Sequence, residues 1–290
     1  MGLSYDFTYI NSNGEFIDFG GLSRFWVDSD SFRSYEYSYR ELNGRISGFY
    51  MGLKTYSFNL GIESDGVNDA VDLTEQLRKL SSYDIKANKP GIIKIGDYQT
   101  EGYIVGLDYS SEGSDDFYGY ETGLSISIAI ENPIWYTEEL VRFKPQIISS
   151  SSAEGLNYPF NYPFNYGARR NVYRQFYNDE VLSCPFRLLV YGRAVDPYVR
   201  IGSNLYQVNA TIAQGGYLVI DSRKREIYEI QRLGNRVEHI RNRLRGTKGS
   251  GQYIFEEITS GYNNVIWDNT FGFDLYLIHE SPYPPFFKDD

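Results

Sequence analysis

The chain has one cysteine, two histidines and two methionines among 290 residues. A single thiol, Cys184, excludes an intramolecular disulfide and any zinc site built on cysteine alone. It opens the apolar run Cys184-Pro-Phe-Arg-Leu-Leu-Val190, so a buried structural thiol is expected there, not a nucleophile. His239 and His279 belong to no ligand-spaced pair. No metal or acid–base role is expected of either. Gly-x-Ser-x-Gly, His-Glu-x-x-His, the phosphate-binding loop and the dinucleotide glycine fingerprint are all missing. No apolar run reaches the length that crosses a bilayer, so no membrane insertion is expected. The start, Met1-Gly-Leu-Ser-Tyr-Asp6, lacks a basic region followed by an apolar one, and Asp6 stands where a myristoylation signal needs Ser or Thr. Synthesis in a cytoplasm without a signal peptide is the expectation.

Basic charge is short in the first half. The net charge is −10, and residues 1–134 carry 10 Lys/Arg against 21 Asp/Glu, while the rest is nearly balanced at 18 against 17. A protein that grips phosphate needs basic surface, so no specific nucleic-acid binding is expected. Arg232 to Lys248 is locally basic, but no RNA-binding aromatic signature accompanies it, and a solvated hairpin loop, or one facing an acidic neighbour, is the expected form.

What the chain does have is tyrosine: 28 Tyr and 18 Phe, with aromatics at 17%. A tyrosine ring can bury while its hydroxyl stays wet, which suits strands and protein interfaces. Together with 28 Gly and few Met, this favours β structure.

Short alternating runs predict strands over residues 5–10, 16–19, 56–60, 91–95, 103–107 and 124–130. One helix is predicted over about 68–80. Asn68 or Asp69 would cap it, and Val67, Val71, Leu77 and Leu80 would supply its apolar stripe, with Leu73 or Thr74 beside it. Its acids lie early and Arg78 and Lys79 late, which complements the helix dipole. The loop 110–116 contains Asp115-Asp116, but no spaced oxygen series with a closing Glu follows, so a solvated loop is expected and no calcium site.

A domain break is expected between Glu131 and Phe143, around Asn132-Pro133, giving domains 1–134 and 135–290. A spacer, Ser149–Ser152, leads into Asn157-Tyr-Pro-Phe-Asn-Tyr-Pro-Phe-Asn-Tyr-Gly167. Proline at every fourth place forbids a helix or a central strand, so this segment must be extended. It could clasp a neighbouring subunit or cover its own sandwich. Strands are then predicted over 186–191, 198–201, 205–210, 217–221, 226–230, 252–258, 264–267 and 271–278. Strands this short, broken by turns at this rhythm, predict an antiparallel β-sandwich.

In order along the chain, four regions carry a resemblance. They are Tyr56–Leu60 with the helix and Ile92–Ile95; the junction Ile130-Glu-Asn-Pro-Ile-Trp-Tyr136; the aromatic repeat at 158–167; and the run Asp196-Pro-Tyr-Val-Arg-Ile201, Gly216-Tyr-Leu-Val-Ile-Asp221 and Thr259-Ser-Gly-Tyr-Asn-Asn264. This ordered set resembles the distal tail proteins (Dit) of long-tailed bacteriophages, the siphovirus tail component family. The resemblance implies a mainly β chain, with an N-terminal β-sandwich-like ring domain carrying one α-helix and a C-terminal galectin-like antiparallel β-sandwich. It implies a hexameric structural hub in the virion tail tip or baseplate, made in the host cytoplasm. The partners implied are further copies of itself, the tail-tube protein, the tail-tip protein and receptor-binding proteins. No catalytic residue, metal ligand or cofactor is carried over. His239-Ile-Arg241 and Trp267-Asp-Asn269 do not reproduce the galectin sugar-binding spacing. Two other classes stay open on the residues alone: a carbohydrate-binding β-sandwich that attaches to host-wall glycans, and a sandwich glycosidase using two of the 38 acids.

Overall fold

In the computed structural model, residues 7–27, 29–109, 120–121, 124–145 and 174–285 are described. The acidic loop at 110–116, the Ser149–Ser152 spacer and the aromatic repeat at 157–167 lie outside the described residues. The chain forms two compact units: residues 1–137 with 280–290, and residues 138–279.

The first unit holds strands β1 (Phe7–Ile10), β2 (Phe16–Phe19), β3 (Phe25–Val27), β4 (Ser38–Leu42), β5 (Arg45–Tyr50) and β6 (Lys54–Ser64). Helix α1 (Val67–Ala87) follows, then β7 (Gly91–Ile95), β8 (Tyr98–Tyr109), β9 (Tyr120–Glu121), β10 (Leu124–Ile130) and the start of β11 (Trp135–Phe143). All pairings are antiparallel. β8 is long enough to serve two sheets: residues 98–102 pair with β7, which pairs with β1 and β2, and residues 103–109 pair with β10, which pairs with β6. Period-2 alternation explains the core. Ile126, Ile128 and Ile130 of β10 and Tyr56, Phe58, Leu60 and Ile62 of β6 all point inward.

Helix α1 differs from its sequence-based outline. It begins after Gly66 with no side-chain cap, because Asp69 is otherwise engaged: its carboxylate accepts the Asp65 N–H at 2.8 Å and pairs with the Arg24 guanidinium. Val67 and Val71 are exposed, and the buried contacts are Leu77 and Leu80. The helix runs on to Ala87, past Ser81 and Ser82, because Asp84 finds partners in the interior. Asn88 then turns left-handed (φ 50°) and closes the helix before Pro90.

The second unit contains the rest of β11 and strands β12 (Arg174–Asn178), β13 (Phe186–Tyr191), β14 (Ala194–Val195), β15 (Tyr198–Ile201), β16 (Asn204–Gln207) and β17 (Thr211–Ile212). It continues with β18 (Tyr217–Asp221), β19 (Glu226–Ile230), β20 (Arg236–Glu238), β21 (Gly261–Ile266) and β22 (Phe273–Ser281). One sheet runs β22-β13-β18-β19-β20 and a second runs β12-β21-β15-β16. Leu188, Val190, Leu218 and Leu275 of the first sheet share a core with Phe176, Val199, Ile201 and Val265 of the second, which makes this unit a β-sandwich. Trp267 is fully buried and donates Nε1–H to Phe271 O at 3.1 Å.

Two strand expectations fail here. Residues 205–210 form only the short β16, Asn204–Gln207. Residues 252–258 make isolated bridges, Arg245 with Tyr253 and Cys184 with Ile258, and pack Ile254, Phe255 and Ile258 into the core as a turning segment. An apolar run can fill a core without joining a ladder, which is why periodicity misreads it.

Candidate interaction surface

The most unusual surface is the β4–β5 hairpin. Its turn is Asn43-Gly44, and both residues have positive φ, 53° and 73°. A two-residue hairpin turn needs that conformation, and Asn-Gly adopts it most readily. The strand expectations drawn from alternation do not include this hairpin; the Asn-Gly pair between Tyr39-Arg-Glu-Leu42 and Arg45-Ile-Ser-Gly-Phe-Tyr50 is the sequence signal that finds it.

The hairpin buries almost nothing. Tyr39 faces Phe49 and Glu41 faces Ile46, with a bulge between the two pairs. Tyr39 is 58% exposed, Phe49 67%, Ile46 56% and Leu42 65%. Its base, by contrast, is pinned. Phe32, fully buried, lies 4.5 Å from Phe58, 5.0 Å from Tyr56 and 5.3 Å from Trp135 between ring centroids. Burying that ring stabilises the base by about 1.5–3 kcal/mol. Met51 is buried where the chain returns, and Lys54 Nζ donates to Ser34 O at 2.7 Å. Tyr35 stacks on Tyr283 with ring centroids 5.4 Å apart. A two-stranded hairpin is marginal alone in water, and an exposed apolar patch of this kind marks a contact surface.

The outer face of β12 and β21 in the second unit is also aromatic. Tyr177 and Tyr262 are cross-strand partners with ring centroids 4.9 Å apart, and both are exposed. Gln175 faces Asn264 beside them.

The remaining residues singled out in the sequence are placed as follows. Cys184 is buried, and burial pushes its thiol up to about 12. His239 packs against the buried Glu229, its Nε2 3.3 Å from the carboxylate. The Arg232–Lys248 stretch does form a hairpin at its start: Arg236 pairs with Glu226 at 3.0 Å and Glu238 at 2.6 Å and lies over the Tyr228 ring. The Arg236 charge is thus matched by two carboxylates. His279 meets three carboxylates brought from distant parts of the chain.

Neither a known sequence family nor a curated protein matches this chain. Solved structures do match its fold. The chain is similar to the SPP1 Dit (gp 19.1) protein, described as a hub of the adsorption apparatus in phages infecting Gram-positive hosts. The TM-score is 0.52 at 11% identity, over 95% of this chain and 99% of that one. It is also similar to a chain of the phage P2 baseplate in its activated conformation with Ca, with a TM-score of 0.56 at 13% identity over 97% of this chain and 100% of that one. The P2 baseplate structure with Sr gives the same score and identity over 98% of this chain. The chain thus has a Dit-like, mainly β fold.

Proposed function

We propose that this protein is the structural hub of a phage tail tip, a homo-hexameric ring that joins the tail tube to the tail-tip protein. Residues 1–134 form the ring, and residues 135–290, the galectin-like part, hold receptor-binding components. The protein acts in the virion without catalysis, cofactor or membrane insertion. The observation that carries this reading is the end-to-end likeness to a phage hub and a phage baseplate chain, which leaves neither protein with a large unmatched part. The exposed β4–β5 hairpin supports it, since a ring joins unlike patches of successive copies and needs one such surface free on each. The acid excess of residues 1–134 supports passage of DNA, because a lumen poor in Lys and Arg does not hold phosphate.

Native mass spectrometry with negative-stain imaging tests this. Six copies in a ring with a central hole is the expected result. A monomer that stays monomeric when the tail-tip protein is added would count against the hub.

The Tyr177–Tyr262 pair beside Gln175 and Asn264 favours a second reading, a carbohydrate-binding module, because exposed rings and side-chain amides are the groups that hold sugars. Trp267 cannot take part, being fully buried. A host-wall glycan array separates the two: binding lost in Tyr262→Ala would favour the module.

A further inference from the structure

The sheet of β6, β10 and β8 turns one face to the core and leaves the other uncovered. Tyr56, Phe58 and Leu60 of β6 and Ile126, Ile128 and Ile130 of β10 fill the core side. By alternation, the residues between them point the opposite way. Thr55 stands opposite Ala129, Ser57 opposite Ser127 and Asn59 opposite Ser125. β8 continues the same three rows with Tyr103, Gly106 and Asp108. The β6 members of these rows are exposed and the β10 members half-buried.

This face is unlike an ordinary solvated surface, which is about a quarter to a third charged. Asp108 is the single charge in the three rows. Not one of the 10 Lys/Arg of residues 1–134 falls in them. Lys54, the neighbour of Thr55, turns to the other side of the strand and donates Nζ–H to Ser34 O at 2.7 Å. The face is equally unlike a dry subunit contact, because Ser, Thr, Asn and Ala side chains bury little apolar area. The Ser57 and Ser127 hydroxyls lie 3.1 Å apart and bond to each other, which leaves fewer donors to reach outward to a phosphate oxygen.

We propose that this uncovered face of β6, β10 and β8 is the wall of the DNA channel, a surface of small neutral side chains that duplex DNA passes without being held. Affinity for duplex DNA grows with each Lys or Arg that displaces a counterion from phosphate, and a closed ring repeats any such cation once per copy. A face free of cations and of long side chains suits passage. The assignment rests on the hub reading and adds to it which surface of the first unit faces the hole.

A gold-labelled maleimide locates the face. The native thiol, Cys184, is buried, so a cysteine introduced at Ser57 is the reactive one. In negative-stain images of Ser57→Cys rings, gold is expected in the central hole. Asn59→Cys, at an exposed position one row away, serves if Ser57→Cys does not assemble. Gold on the outer rim, or an introduced cysteine that no maleimide reaches in the assembled ring, overturns the assignment. Absence of any ring from the parent chain overturns the hub reading, and this inference falls with it. Asn59→Lys then tests the lack of grip. It adds one cation per copy, and its rings should retain duplex DNA with affinity falling about 1,000-fold between about 50 and 200 mM salt, where parental rings retain none. Equal retention by parental and Asn59→Lys rings overturns the non-adhesive wall.

Discussion

Tyr9 and Asp84 lie 75 positions apart in sequence and are joined by a 2.6 Å hydrogen bond, hydroxyl to carboxylate, with both residues fully buried. The bond ties β1 to the last turns of α1. Asp84 also accepts the Ser12 N–H at 2.7 Å, so its two oxygens hold one segment at two points, β1 and the turn that follows it. Burial first, and the Asp84 hydrogen bond second, push the Tyr9 phenol far above its ordinary value.

Tyr9→Phe removes one donor from a buried carboxylate and leaves the ring in place. A loss of about 1–3 kcal/mol is expected, the cost of an unmet buried polar group. Urea unfolding monitored by circular dichroism measures it. An unchanged midpoint would mean that Ser12 and solvent satisfy Asp84 without the tyrosine.

Phe49→Glu places a charge on the exposed hairpin face and touches no core residue. Thermal unfolding of the isolated chain should stay within about 0.5 kcal/mol of the parent, as surface changes usually do. Ring assembly, read by native mass spectrometry, should be lost. Assembly at parental levels would remove the hairpin from the subunit contact.

Cys184 supplies a pH test. Its thiol is raised from 9.0 to about 12, chiefly by desolvation, so the folded state prefers the protonated form. The sign follows from linkage: this contribution to stability is complete below the unfolded thiol's value and is lost as pH rises toward about 12. Native protein should therefore be silent to a thiol reagent at about pH 8 and react fully in denaturant. Cys184→Ala should flatten part of the stability decline above about pH 9. Rapid labelling of the native state would show the thiol to be accessible.

Asn178→Ala breaks three hydrogen bonds in a buried place and frees the turn that carries Asp179 and Glu180. A destabilisation of about 1–3 kcal/mol is expected from the three lost hydrogen bonds, although Ile258 O keeps the Cys184 N–H and Thr259 O keeps the Asn263 Nδ2–H. Urea unfolding monitored by circular dichroism measures it. An unchanged midpoint would show that the turn needs no anchor.

Much of the strand content is legible in the sequence, and the reason is local. Phe186–Tyr191, Tyr217–Asp221 and Glu226–Ile230 form strands over the very spans their alternation predicts. The misses occur where tertiary structure overrides local pattern. Helix α1 is extended by Asp84, whose partners, Tyr9 and Ser12, are remote in sequence. Val67 and Val71 look like core on the helical wheel, but they are exposed, and the helix buries its second half, at Leu77, Leu80, Ser81 and Asp84. The β4–β5 hairpin was legible from Asn43-Gly44, yet its aromatic strands bury no face, so hydrophobic periodicity gives no cue. The His279 cluster could not be read at all. Glu139, Asp179 and His279 share no spacing, and only the folding of β11, β12 and β22 brings them together.

The stacking of Tyr283 on Tyr35 sets an order of events during synthesis. The first unit takes its closing segment from residues 280 onward, after the whole of the second unit has been translated. Residues 138–279 are thus inserted between two parts of the first unit's sequence, so the first unit cannot be completed before the inserted one has been translated. A chain stalled or cleaved before Tyr283 leaves Tyr35, at the root of the hairpin, without its stacking partner. Such a cut would cost the first unit a contact and leave the contacts of the second unit in place.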